Sequence, residues 1–203
     1  MDELRRVVLE GEETARRIVS VELRKTLGRF YILWGSFPAA ANIFVVAVAT
    51  AEGARAVLGI AVFSMPWYVL WFIMVLGVYV WLTFHIFISF YRVVTSFLRV
   101  KSNKWYGVFT ASYFLLVLTL WFVLGGQLAV VFSALYAVGV TFFTYSAIYS
   151  GFVRPRYYDH MALIGFLLLF PLSFVFTYAF QLVISLMWIY AGVKSLMEGC
   201  GGG

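Results

Sequence analysis

Between Glu52 and Asp159 the chain has no aspartate or glutamate at all. Proton- or sodium-coupled carriers, intramembrane aspartyl proteases and metal-dependent lipid-phosphate transferases need carboxylates at or near membrane depth, so this gap argues against those classes. Cysteine occurs once, as Cys200 in a glycine-rich tail, which excludes a disulfide framework and a thiolate metal cluster. Histidine occurs only as His85 and His160, and the second falls in or beside a loop, so a bis-histidine haem within one chain is not expected. Asp159 neighbours His160, but adjacent residues point in different directions on a helix, and the pair reads as solvated loop residues rather than a catalytic dyad. The Gly125-Gly126 pair and the tail glycines lack the strand, helix and lysine of a phosphate loop. No catalytic residue, cofactor or metal site is therefore expected, and the protein reads as no enzyme. Amide side chains are also scarce, limited to Asn42, Asn103, Gln127 and Gln181, a composition found in thermophilic proteins.

What fills the chain instead is apolar: 64% hydrophobic and 20% aromatic residues against 12% charged. A water-soluble surface cannot be made from that inventory, and several apolar runs reach the roughly 20 residues that cross a bilayer as helix. They do not alternate, which excludes a β-barrel. The formal charge of +6 comes from bases scattered at the ends of these runs, so it reports topology and not a nucleic-acid partner.

Residues 1–29 are a different material, with six acids and seven bases. Leu4, Val7, Val8, Ala15, Ile18, Val19, Leu23 and Leu27 recur at helical spacing, which predicts a charged amphipathic helix in the cytoplasm, solvated or docking onto a partner. Glu12 with Arg16 and Glu13 with Arg17 are acid-before-base pairs four apart, the orientation that supports a helix. The first span follows over 30–50. Its small residues Gly35, Ser36, Ala39 and Ala40, with Asn42, make a face that lets another helix approach closely, and Pro38 is expected to bend it.

The long run from Ala56 to Arg92 admits one crossing or two, and the positive-inside rule decides for one. A single crossing puts Arg24, Lys25, Arg29, Arg92, Arg99, Lys101, Lys104, Arg154 and Arg156 on one side, with Arg55 and Lys194 on the other. Ser64 before Pro66 is a helix-start signal, so the second span is read as 66–92, with 56–63 interfacial or re-entrant. Spans three and four are 105–124 and 128–149, joined by a tight turn at Gly125-Gly126-Gln127. The last run is read as a fifth span, 162–189, bent at Pro171, with Trp188 and Tyr190 in an outer aromatic belt. Residues 198–203 form a flexible tail. A sixth span arises if the last run divides near Tyr178.

Two polar stripes stand out. His85, Ser89, Arg92, Ser96 and Arg99 recur at spacings of three and four in the second span, and Ser173, Thr177, Gln181 and Ser185 fall at intervals of four in the last run. Each shares one helix face, suited to interhelical hydrogen bonds or to a hydrated path. The expected fold is thus all-α: a polytopic membrane bundle of five spans, N-terminus cytoplasmic and C-terminus extracytoplasmic. The expected function is association in the cell membrane, as a homo-oligomer or accessory subunit, with residues 1–29 as one contact. The alternative is a small channel or facilitative transporter for an anion or polar solute, lined by the two stripes.

Overall fold

A computed structural model describes residues 2–50, 61–62, 65–98, 104–148, 153–173 and 177–201. Those residues are helical apart from short connections and one two-residue strand pair. Helix α1 spans Asp2–Thr50, α2 Trp67–Leu98, α3 Lys104–Ile148, α4 Tyr157–Leu172 and α5 Thr177–Gly201. Strands β1 (Ala61–Val62) and β2 (Met65–Pro66) pair antiparallel just before α2. Pro66 stands immediately ahead of the first helical residue, where its missing N–H removes no helical bond. The interfacial or re-entrant segment expected over 56–63 lies outside the described residues except for Ala61 and Val62.

The amphipathic helix and the first span are one continuous helix. Arg6 with Glu10 and Arg16 with Glu12 pair at 2.9 Å along its exposed part. From Val19 onward the apolar stripe is core: Val19, Leu23, Leu27 and Tyr31 are buried at helical spacing. The bundle therefore reaches deeper into 1–29 than a solvated helix would. Pro38 sits inside α1, and the Asn42 side chain donates to its carbonyl at 2.8 Å.

Helix α3 doubles back on itself. The Tyr113 hydroxyl donates to the Leu135 carbonyl at 2.6 Å, although a straight helix would separate residues 22 apart by about 33 Å. Phe109 meets Phe143, Tyr113 closes over Gly139 and Phe114 meets Tyr136, so the pairs are centred on the Gly125-Gly126 region, where the turn was expected.

The expected fifth span is not one continuous helix. Helices α4 and α5 run antiparallel: the Trp188 indole donates to the Ala162 carbonyl at 3.0 Å, the Tyr157 and Tyr190 hydroxyls lie 2.8 Å apart, and Arg156 reaches Glu198. Pro171 falls in the last turn of α4, where the chain reverses instead of bending. Trp188 is accordingly a core residue, 3% exposed and packed on Phe30, Tyr31 and Phe166, and not part of an outer belt. Because α5 returns alongside α1, residues 194–199 lie at the end that carries Arg24, Lys25, Arg154 and Arg156. Lys194, expected opposite those bases, belongs with them, and the C-terminal end of α5 shares their side of the bundle. Helix α2 also runs antiparallel to α1, with Phe30 on Phe87, Trp34 bonded to Thr83, and Ser36 bonded to Tyr79.

The outside of the bundle is apolar. Trp81, Phe84, Leu115, Phe142, Leu168 and Leu182 are all well exposed, beyond the scattered single residues of an ordinary soluble surface. Among the described residues, two helices, Leu70–Thr95 and Ala179–Gly201, are long and apolar enough to cross a membrane.

Close approach of α1 and α5 depends on glycine. A Cβ on Gly28 would lie 2.9 Å from the Gly192 carbonyl, and one on Gly192 would lie 2.8 Å from the Gly28 carbonyl. Gly192→Val is expected to lower stability by about 1–3 kcal/mol through overpacking. Gly11→Ala, which meets nothing within 4 Å, should raise it by up to ~1 kcal/mol through helix propensity. Thermal unfolding of the two variants in detergent measures both shifts, and equal behaviour would refute the packing argument.

Candidate functional site

At the basic end, three chain segments converge on one arginine. The stripe that buries Leu23 and Leu27 also turns Arg24 inward, where it is 6% exposed. Burial of a guanidinium is tolerated only with a counter-charge and satisfied donors. Both are present. Nη1 donates to Asp159 Oδ2 at 2.7 Å, Nη2 donates to the Arg154 carbonyl, and Nε lies 3.6 Å from Glu198 Oε2. The Tyr158 ring stands 5.4 Å from the guanidinium carbon, within cation–π range. Ser195 from α5 donates to the Arg24 carbonyl at 2.8 Å.

Asp159 serves α4 and α1 at once. Its Oδ2 accepts the Arg156 backbone N–H at 2.8 Å, the N-terminal half of a capping box, and the same oxygen accepts from Arg24. The residue is fully buried. Reading Asp159 as a solvated loop residue is therefore wrong: three residues into a helix, its carboxylate points at α1. Its neighbour His160 points elsewhere, to the Tyr145 hydroxyl of α3, so the two form no dyad.

Glu198 completes the cluster, with Oε1 3.4 Å from Arg156 Nε. An open cleft of about 260 Å³ lies beside it, lined by Ser20, Arg24, Arg154, Arg156 and Glu198 among others. The Tyr158 hydroxyl is buried and has no partner at hydrogen-bond distance.

The two polar stripes have different fates. On α2, His85, Ser89 and Arg92 are exposed, with His85 stacked on Trp81 at 5.8 Å and the Ser89 hydroxyl bonded to the His85 carbonyl. Ser96 lies further along the same helix, and Arg99 lies outside the described residues. At the α4–α5 turn Ser173 is buried and bonds the Phe170 carbonyl; Thr177 is the first residue of α5; Ser185 is buried against α1. Gln181 accepts from the Asn42 amide at 3.4 Å. Among the described residues, the exposed His85, Ser89 and Arg92 do not face Ser173, Gln181 and Ser185.

The small-residue face of α1 is used within the chain. A Cβ on Gly35 would lie 3.1 Å from the Ile189 backbone nitrogen of α5, and the Ser36 hydroxyl bonds Tyr79 of α2 at 2.9 Å. Ala40 is half-buried and Ala39 exposed.

Fold and cluster together define an all-helical bundle with an apolar exterior and a buried ionic centre at one end. Comparison with protein-family models, curated proteins and solved structures finds no match.

Removing one partner of the Arg24–Asp159 pair strands the other in the core. Asp159→Ala is expected to cost about 3–5 kcal/mol in unfolding free energy, whereas the double replacement Arg24→Met with Asp159→Leu should cost less than either single change. A double-mutant cycle followed by thermal unfolding checks this, and additive losses would show that the two charges do not depend on each other.

Proposed function

We propose that this protein is a multi-pass membrane protein that works by association, as a homo-oligomer or as an accessory subunit of a membrane complex. The observation that carries this reading is the placement of His85 on the outward face of α2, two turns before Arg92 and among the exposed apolar side chains Trp81, Phe84 and Ile88. Ionisable groups on a membrane helix are costly against lipid and are normally covered by a neighbouring protein surface. Ser89 is satisfied by its own helix, so on this face His85 is the group left to be met from outside. Gly35 and Ser36 of α1 do not motivate association, since α5 and α2 already occupy them.

In this reading the crossings number six: the later part of α1, α2, the two limbs of α3, α4 and α5. Both ends of the chain then lie with the bases on the cytoplasmic side, as the positive-inside rule favours.

A photoreactive residue introduced at Ser89 should crosslink to a second copy or to a copurifying membrane protein when the 23.1 kDa chain is extracted in detergent. His85→Leu should weaken that association by roughly threefold, the factor carried by ~0.6 kcal/mol for an interhelical polar contact. A strictly monomeric species with no adduct overturns the proposal.

Orientation has its own test, because Cys200 is exposed and is the chain's single cysteine. A membrane-impermeant maleimide should reach Cys200 and, in a Cys200→Ser background, a Glu12→Cys variant from the same side. Labelling from opposite sides rules out the six-crossing arrangement.

A further inference from the structure

We propose that the cleft at the basic end binds a phosphate group, as carried by the headgroup of an anionic lipid. Three arginines line it, Arg24, Arg154 and Arg156, against the single acidic residue Glu198. Asp159 stands behind Arg24 and is consumed by it and by the helix cap, so the cluster keeps an excess positive charge facing the opening. Glu198 does not neutralise that excess tightly. It lies 3.6 Å from Arg24 and 3.4 Å from Arg156, longer than the roughly 2.7–2.9 Å of a close charge-assisted bond. Arg154 makes no ion pair among the described residues, and its side chain is exposed at the rim.

Guanidinium groups are suited to this task because their forked donors match phosphate oxygens in pairs. Arg24 is pre-positioned, its geometry held from α4 and α5 before any ligand arrives. At about 260 Å³ the cleft is several times the ~30 Å³ that a water occupies, which leaves room for a phosphate and its ester oxygens. Its position selects the source. Ser20 and Val21 on its wall mark the level where α1 passes from the exposed, charged 9–18 stretch to the buried one. If the apolar exterior faces lipid, as proposed above, the cleft opens at headgroup height.

The test uses the full chain in detergent, with native mass spectrometry and thermal unfolding read against added phosphatidylglycerol, phosphatidylcholine or inorganic phosphate. Wild type should retain phosphatidylglycerol and be stabilised by it more than by phosphatidylcholine. Arg154→Ala with Arg156→Ala, both exposed positions, should weaken retention by about tenfold or more, the scale of one or two lost charge-assisted bonds. Glu198→Gln should strengthen it, because the competing carboxylate is gone. Equal retention by wild type and the double variant, or no preference over phosphatidylcholine, overturns the proposal. An equal, arginine-dependent shift with inorganic phosphate supports the phosphate site and overturns the lipid source. A chain that stays soluble without detergent would instead refute the membrane reading, which separates the two failures.

Discussion

A guanidinium in a helix-packed interior is tolerated only if the fold brings it an anion, and here that anion comes from 135 residues away. The Arg24–Asp159 pair ties the lower part of α1 to the start of α4. Ser195 and Glu198 bring the end of α5 to the same point. Around it the apolar contacts of Tyr31, Tyr158, Leu163 and Trp188 close the core. The interaction is demanding, since each charge is costly without the other, and for that reason it specifies one arrangement of three helices where apolar packing alone would accept several.

The same pair explains why α1 is a single long helix. A break between the charged N-terminal part and the apolar part would free Arg24 from its register with Asp159. Continuity lets one helix present exposed ion pairs at one end and small residues to α2 and α5 at the other. Gly28 and Gly192 then allow two backbones to meet over each other's carbonyls, which brings Ser195 within reach of Arg24. The cleft beside Glu198 is a by-product of that convergence: arginines gathered to cap and bury the junction leave more positive charge than the local carboxylates offset.

Much of this was legible along the chain, for reasons specific to each element. Pro66 after Ser64 marked the start of α2 because proline is tolerated there and nowhere further in. Gly125-Gly126 marked the reversal in α3 because nothing else in that apolar stretch could turn the chain so tightly. Asp159 was not legible: an acid next to a histidine, shortly after Pro155, has the composition of a loop, and its capping role depends on a helix beginning at Tyr157. The reversal after α4 was equally hidden. Pro171 signals a bend or an end with the same residue, and the apolar run continues on both sides of it.

The sequence by itself determined the all-helical character, the apolar runs and the starts of α2 and α3, because hydropathy and turn chemistry are local and survive being read in short windows. Tertiary structure decided the direction of the last run, the burial of Arg24 and Asp159, and the outward placement of His85. Those outcomes depend on which faces meet. Helices such as α3 and α4, apolar on nearly every side, carry little periodic signal of the face that will turn inward.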